Sequence, residues 1–491
     1  MYNDETDSDV FSQLFKRFAP VALPLLLAAG AAAQATPSAT PGGYEVGTYF
    51  NGFQSPVTAI CLDPVNRVLA ATIDGEIRAL VDTNNDGAVD ATSLFFNGAA
   101  NGDLVSVTDI RWMFGKLYVS HLGKVTTLED TDNDGDADVL TDIVTGLPFG
   151  FHQNNGLIQD GPGHFLLAMG SATDLGPETN PLNATILRFS ASGGAPSIHA
   201  TGLRNVFGLA RHPVNGDLFV GDNEWNLHPS LPLEGDELNR IVANGSYGYP
   251  TKFGAPSAGQ TFTAPVVQLP PRVAPCGVEF NPNTGISGYA EELYMALFST
   301  NVATIVRIPL WYGSVSGLPA GILESFATGF VNPIDLLFLV DGSLLVADFS
   351  AQAIFRISPR GGAVLTVTTP PTVGTTVGLR LSAPGRAGGL GYILASDAAA
   401  PAFPLAPGLD LFINVASPVF SYSITPGNGI FNFPLPGTLD AAATVTGSIA
   451  VPNVPALIGL RIHLAGAVLD PVSLAPLATT PEQSLFFIPA F

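Results

Sequence analysis

The feature that most constrains this chain is a pattern of about fifty residues that occurs six times between residues 44 and 360. Each copy has a short apolar strand, a turn in which Asp, Asn or Pro lies near Gly, and a second strand. The copies begin at Ser55, Val105, His152, Arg204, Val273 and Val331. Regularly spaced short strands with almost no helical periodicity are typical of radial β-sheets. The sequence therefore predicts an all-β fold, with a six-bladed β-propeller over residues 44–360.

The six copies align on the small or polar residue that opens each inner strand, which is Ala59, Asp109, Gly156, Gly208, Gly277 or Asp335. Four residues earlier, the third and fourth copies carry His152 and Arg204, where the other copies have small or apolar residues. Because inner strands line the central channel, neighbouring blades should bring these two side chains together at one rim, called the upper rim here. We interpret them as a candidate catalytic pair. The structural alternatives are a strand-end cap for His152 and an ion pair between Arg204 and Asp236 or Glu237.

The charge of the chain limits its partners. There are 41 Asp plus Glu against 19 Lys plus Arg, and the net charge is -22. Such a protein repels phosphate backbones and anionic lipid, so we expect no nucleic-acid partner. An acidic balance favours divalent cations.

Two aspartate-rich loops, "DTNNDGAVD" and "DTDNDGDAD", match the opening of a calcium-binding loop. Oxygen-bearing side chains at positions one, three and five precede a glycine that lets the chain turn around an ion. The predicted ligands are Asp82, Asn84, Asp86 and Asp90 in the first loop and Asp130, Asp132, Asp134 and Asp138 in the second. Neither loop has the remaining features of an EF-hand, and Asn-Asp-Gly is also favourable turn chemistry without an ion. Both loops follow third strands, which predicts a structural role on the face opposite to the upper rim.

The first residues of the chain predict export. Lys16 and Arg17 precede the apolar run "FAPVALPLLLAAGAAA", and "AQA" at residues 33–35 has the form of a signal-peptidase site. We expect residues 1–35 to be a signal peptide and the mature protein to be secreted, periplasmic or at the cell surface, without a membrane span.

The composition changes after the last repeat. From Val364 the chain is rich in Thr, Pro, Gly, Ala and Leu and has few charges. Alternating strands and Pro-Gly turns predict a separate β-sandwich over residues 364–491. This segment resembles C-terminal domains that accompany secreted enzymes and surface proteins. Its charge-poor surface suggests contact with the propeller, a cell surface or an insoluble polymer.

Three further stretches carry a family resemblance. They are "HQNNGL" from His152, "GLRNVFGLARHPVNGDLFVGDN" from Gly202, and "GDELNRI" with "GSYGYP" from Gly235. In these stretches the chain resembles the soluble quinoprotein glucose dehydrogenases and the glucose/sorbosone (sugar) dehydrogenases. The resemblance covers roughly the propeller residues.

This resemblance implies an oxidoreductase that oxidises a sugar or related alcohol with pyrroloquinoline quinone and calcium. His152 would be the general base, and Arg204 would stabilise negative charge on the reduced quinone. The residues implied to contact the cofactor or to hold its calcium are Asn205, Asn223 and the backbone carbonyls of Glu224 and Trp225.

The chain departs from the family at two points, and two other functions stay open. Phe151 stands where the family has an Asp before the histidine, and "FSTNVATIVRI" and "VNPIDLL" lack the family's cationic clamp for the cofactor carboxylates. One alternative is a non-catalytic, calcium-stabilised propeller that binds carbohydrate or protein at its upper rim. The other is a calcium-dependent, lactonase-like hydrolase, for which Asp109 and Asp335 would lie near the channel.

Overall fold

Nearly all of the regular structure is β-strand. The structure, a computed structural model, describes residues 37–39, 42–224, 235–252, 254–282, 288–289, 292–299, 302–312, 319–369, 371–407, 409–481 and 483–487. The predicted signal peptide and Trp225 lie outside these residues. The helices found are Gly98–Asn101, Pro418–Ser423 and the 3-10 turn Pro455–Leu457. The all-β prediction is confirmed, and no helix in the described residues is long and apolar enough to cross a membrane.

Six sheets contain the repeats, and we call them blades 1 to 6 in chain order of their inner strands. From the inner strand outward, blade 1 contains Val57–Leu62, Val68–Thr72, Glu76–Val81 and Ala91–Asn97, and blade 2 contains Asp109–Met113, Lys116–His121, Lys124–Glu129 and Val139–Val144. Blade 3 contains Asn154–Gln159, His164–Met169, Thr185–Ser190, Gly193–Thr201 and Gly245–Ser246, and blade 4 contains Val206–Arg211, Leu218–Asp222, Glu237–Ile241 and Val267–Gln268. Blade 5 contains Pro275–Phe280, Leu293–Leu297, Thr304–Ile308, Glu324–Thr328 and Ser38–Ala39, and blade 6 contains Pro333–Phe338, Leu344–Asp348, Ala353–Pro359 and Tyr44–Phe50.

The inner strands form a ring. Each contacts the inner strand of the next blade, and that of blade 6 contacts that of blade 1. The first long strand, Tyr44–Phe50, pairs antiparallel with Ala353–Pro359, so blade 6 combines both ends of the propeller segment. This pairing closes the ring with backbone hydrogen bonds between the two ends of the propeller segment.

Glycine lets the inner strands approach closely at the position on which the repeats align. A Cβ atom on Gly208 would lie 2.6 Å from the carbonyl oxygen of Cys276, and one on Gly277 would lie 2.6 Å from the Cα atom of Asp335. Backbone atoms of the next blade occupy that space and cannot move independently. The glycines are therefore required by packing between blades and not by an unusual φ.

We expect Gly208→Ala and Gly277→Ala each to lower the free energy of unfolding by about 2–3 kcal/mol, because the added methyl group has no space. Gly47→Ala, in the outer strand of blade 6, is the control, since a Cβ there would meet nothing within 4 Å. Chemical denaturation of the three variants checks this. Equal midpoints would contradict the proposed crowding.

Asp109 and Asp335 occupy the same aligned position in blades 2 and 6. The carboxylate of Asp335 accepts the backbone N–H of Ile60 in blade 1 at 2.9 Å, and that of Asp109 accepts the N–H of Leu157 in blade 3 at 2.6 Å. Both carboxylates thus join neighbouring blades.

Two sheets, formed by the C-terminal segment and by Gly288–Tyr289 from the chain between two strands of blade 5, pack face to face. One contains Gly288–Tyr289, Val364–Val367, Thr376–Ser382, Thr444–Ala450 and Phe431–Asn432, and the other contains Gly437–Thr438, Leu390–Ser396, Arg461–Leu469, Pro476–Thr479 and Gln483–Phe486. Smaller two-stranded pairs are Leu310–Tyr312 with Pro319–Gly321 and Phe403–Ala406 with Leu409–Leu411. Leu379, Ile393 and Leu464 are among the buried residues between the two sheets.

A buried arginine connects blade 5 to this sandwich. Arg307, in the third strand of blade 5, donates to Glu324 Oε2 at 2.6 Å and to Ser484 Oγ of the sandwich at 2.9 Å. Arg461 of the sandwich lies 2.5 Å from the other oxygen of Glu324. The propeller and the sandwich thus share a charge network in which Arg307 is buried, Glu324 is largely buried and Arg461 is exposed.

Candidate functional site

The predicted pair, His152 and Arg204, converges on a third residue. Both lie just before inner strands, those of blades 3 and 4, and so share the upper rim. Arg204 Nη2 is 2.5 Å and His152 Nε2 is 3.5 Å from the same oxygen, Oδ1 of Asp174. The side chains are 6%, 7% and 16% exposed for Arg204, His152 and Asp174 respectively. The carboxylate that was missing before the histidine is thus supplied by a different segment.

The loop that carries Asp174 follows the second strand of blade 3. It is held by hydrogen bonds within the loop and by one from Tyr249. The carboxylate of Glu178 accepts the hydroxyl of Ser171 at 2.6 Å and that of Tyr249 at 3.2 Å. Asp174 has a φ of 68°, which aspartate adopts more readily than most residues, and its N–H donates to Ser171 Oγ at 2.8 Å. These contacts position the carboxylate of Asp174 between the imidazole and the guanidinium.

Burial makes His152 a neutral base at neutral pH. Burial and, to a smaller extent, the charge of Arg204 together lower the pKa of His152 to about 4, even though its contact with Asp174 opposes the shift. Burial alone would raise the pKa of Asp174, but its contacts with His152 and Arg204 bring that pKa below the ordinary value. The site therefore holds an aspartate–arginine ion pair beside an uncharged imidazole, which can accept a proton.

Arg204 does not pair with Asp236 or Glu237, the structural alternative considered from the sequence. Its Nη1 atom donates to the backbone carbonyl of Asn223 at 2.6 Å, and its backbone N–H donates to Asp222 at 3.0 Å. The Asp236 carboxylate instead accepts backbone N–H groups at the start of blade 5. The guanidinium therefore bonds to Asp174 and to the backbone of Asn223 rather than to these two acids.

Four buried acids lie in or next to the second and third strands of blade 4. They are Asp222, Glu224, Asp236 and Glu237, each no more than 1% exposed. Burial raises the pKa of Asp222 to about 6, raises those of Asp236 and Glu237 to about 7, and raises that of Glu224 well above its ordinary value. The rim thus has an excess of carboxyl groups that a bound cation or protons must neutralise.

The residues predicted to contact a cofactor lie next to this cluster. The side-chain oxygen of Asn205 accepts from Asn155 Nδ2 at 2.9 Å. The side-chain oxygen of Asn223 and both carboxyl oxygens of Glu224 are buried and accept no hydrogen bond from the described residues. Asn223 and Glu224 therefore retain ligand capacity, whereas Asn205 is already engaged.

The two aspartate-rich loops lie on the lower face. In the second loop the carbonyl of Gly135 accepts from Arg67, which follows the inner strand of blade 1, at 2.9 Å. Both loops have the same backbone path, with positive φ at Asn85 and Gly87 and at Asn133 and Gly135. They are therefore two copies of one loop conformation, on the opposite face from His152.

The two loops differ in how their side-chain oxygens are arranged around a possible cation. Oxygens of Asp130, Asp132 and Asp138 lie within 4.8 Å of one another. Asp134, also predicted as a ligand, accepts the backbone N–H of Asp136 at 3.1 Å. The second loop therefore offers three converging carboxylates to a cation.

In the first loop the predicted ligands already bond to one another. The side-chain amide of Asn84 donates to Asp90 at 3.1 Å. Asp82 accepts the backbone N–H groups of Asp86 and Gly87 at 3.2 and 2.8 Å. An ion would have to replace part of this network.

Two sequence comparisons match parts of the chain. A family model described as a domain of unknown function (DUF7133) matches residues 45–278. An uncharacterized protein of Borreliella burgdorferi is 26% identical over 199 residues, which are 35% of this chain and 52% of that protein. The chain thus spans about half the length of the curated relative that it matches.

Solved structures of oxidoreductase-type propellers share the fold. The calcium structure of a family AA12 carbohydrate-active enzyme of Trichoderma reesei has a TM-score of 0.55 at 19% identity, over 67% of this chain and 98% of that chain. A Thermus thermophilus protein described as an oxidoreductase (glucose dehydrogenase) has a TM-score of 0.50 at 20% identity, over 64% of this chain and 100% of that chain. At these identities the likeness shows the fold alone.

Proposed function

We propose that the chain is an oxidoreductase that oxidises a hydroxyl group of a sugar or related alcohol at the upper rim. The observation that supports this is the buried imidazole of His152 beside the Asp174–Arg204 ion pair. The imidazole accepts the hydroxyl proton, and Asp174 stabilises the imidazolium that forms. The carbon–hydrogen electron pair needs an acceptor, and pyrroloquinoline quinone with calcium is the one that the family resemblance implies.

The described rim fits calcium better than it fits this quinone. Glu224 and Asn223 have buried oxygens without hydrogen-bond donors, which suit a hard cation. The three carboxylates of the quinone need cations, but within the described residues the charge of Arg204 is already paired with Asp174. We therefore assign the proton transfer to His152 and leave the identity of the electron acceptor to experiment.

Reconstitution tests the proposed function. Purified protein is incubated with pyrroloquinoline quinone and calcium, and aldoses and simple alcohols are assayed with an artificial electron acceptor. Turnover of an aldose or alcohol is the expected result, and its dependence on the added quinone would identify the quinone as the electron acceptor. Turnover with the artificial acceptor alone would support an oxidoreductase that does not use the quinone. No turnover under either condition would contradict the proposed enzymatic activity.

The alternative is a non-catalytic propeller that binds carbohydrate or protein at the same rim. The low exposure of His152 and Arg204, together with the paired charge of Arg204, favours it. Glycan binding that persists in His152→Ala, without turnover in the native protein, would support this function. The hydrolase alternative is not favoured, since Asp109 and Asp335 are engaged by backbone N–H groups.

We further propose that the second aspartate loop binds calcium as a structural ion. Asp132→Asn removes one of three converging carboxylates, while in the structure Asp132 accepts only a long bond of 3.4 Å, from the N–H of Asp134. Calcium should raise the melting temperature of the native protein by several degrees, and Asp132→Asn should lose most of that increase. Asp103→Asn, outside the loop, is the control. An increase that Asp132→Asn retains would contradict the site.

Export and partners complete the proposal. Residues 1–35 would direct secretion, the substrate is a small sugar or alcohol, and the sandwich would contact a cell surface or polymer. Mass spectrometry of the protein from culture supernatant should find a new N-terminus near Thr36.

A further inference from the structure

A cavity of about 350 Å³ opens at the end of the central channel away from His152. It is formed near the ends of the inner strands of blades 2 to 5, all of which start at the upper rim. Its lining includes Arg111, Trp112, Gln159, Leu209, Arg211 and Glu279. A concave site of this size is in the range that holds a small molecule.

Three polar side chains of this cavity have unused hydrogen-bonding capacity. The guanidinium of Arg111 lies 3.4 Å from Asp109, and its Nε atom has no hydrogen-bond partner among the described residues. The side chain of Gln159 makes only a long 3.4 Å contact with the carbonyl of Gly161. Glu279 is partly exposed at the same cavity, and no other described side chain donates to it. Donors and an acceptor therefore face one small space.

The surrounding charges select the ligand class. Asp109, Asp335 and Glu279 all lie close enough to Arg111 to act on its charge, so the cavity opposes an additional anion. The guanidinium in turn opposes a cation. A neutral ligand with several hydroxyl groups can accept from Arg111 and donate to Glu279 at the same time. Trp112, which is partly exposed, offers apolar surface to its carbon–hydrogen face.

We propose that this lower mouth is a binding site for a small neutral polyol of the size of a cyclic sugar. The site is separate from the proposed oxidation at the upper rim and does not depend on it.

Equilibrium binding to the full chain tests this proposal. The probes are myo-inositol and methyl β-glucopyranoside, which lack the free anomeric hydroxyl that an aldose dehydrogenase would oxidise. Saturation-transfer NMR should detect both. Glu279→Gln should weaken binding about tenfold or more, because it removes a charged acceptor. Gln159→Ala, an exposed position, should weaken it about threefold, by one neutral hydrogen bond.

The controls separate this site from the upper rim. Arg386→Met, an exposed change in the sandwich, and His152→Ala should leave the affinity unchanged. Absence of saturation transfer, or equal affinity in native protein and Glu279→Gln, would overturn the site. Binding of acetate or methylamine in preference to both polyols would overturn the ligand class. Loss of binding in His152→Ala alone would show that the polyol binds at the upper rim and not at the lower mouth.

Discussion

Replacement of His152 by alanine should abolish sugar oxidation, with kcat/KM falling by about a thousandfold or more. The imidazole is the neutral base of the site, and its burial leaves little room for water to take its place. Reconstituted native protein and variant are compared at saturating calcium and acceptor. Residual activity within tenfold of the native value would show that the proton is taken elsewhere.

Asp174→Asn tests the same site through its pH dependence. The neutral form of His152 is active, so native activity should fall only as the pH drops through the histidine pKa of about 4. Because Asp174 opposes the lowering of that pKa, its neutralisation should move the acidic limb to still lower pH. The turnover number should fall about a hundredfold or more, since the imidazolium loses its counter-ion.

Asp341→Asn is the matched control for Asp174→Asn. Asp341 also forms a 2.5 Å ion pair with an arginine, Arg356, but on the lower face of the propeller. The Asp341→Asn variant should keep the native turnover number and the native acidic limb of the pH–activity profile. If the acidic limb of the pH–activity profile lies at the same pH in Asp174→Asn as in the native protein, Asp174 has only a structural role.

Arg307→Met should lower the free energy of unfolding by about 3–5 kcal/mol. The change leaves the carboxylates of Glu324 and Glu292 in a buried position without their shared cation, and it removes the hydrogen bond to Ser484. Because this bond joins blade 5 to the sandwich, the transitions of the two parts should also separate in thermal unfolding.

The control for Arg307→Met is an arginine of similar chemistry at the surface. Arg360 lies 3.9 Å from Glu45, with both side chains more than half exposed, and Arg360→Met should change stability by less than about 1 kcal/mol. Ser484→Ala isolates the link to the sandwich and should cost about 1 kcal/mol. A cost for Arg307→Met no greater than that for Arg360→Met would contradict the importance of the buried network.

The order of the propeller could be predicted because its signal is local and repeated. Strand, turn and strand recur at near-constant spacing, so one alignment of the copies gives the inner strands and places His152 beside Arg204. The same alignment predicts the glycines at the aligned position, although not that the backbone of the next blade fills the space beside Gly208 and Gly277. Both aspartate loops could be predicted for the same reason, because their motif is local and occurs twice with the same spacing.

Asp174 could not be found in this way. It lies in an irregular loop outside the repeated strands, and its left-handed backbone and the Glu178 bonds exist only once blade 3 and Tyr249 are in place. The neutral state of His152 likewise depends on burial, which no spacing of residues reports. The link through Arg307 joins residues 177 positions apart.

The amino-acid sequence alone determined the all-β class, the repeat, and which blades carry the imidazole and the guanidinium, since strand periodicity and turn chemistry act over a few residues. Only the tertiary structure decided which carboxylate joins that pair, how deeply the charges are buried and where the sandwich attaches. Those properties depend on distances between segments remote in the chain, and on the solvent that their packing excludes.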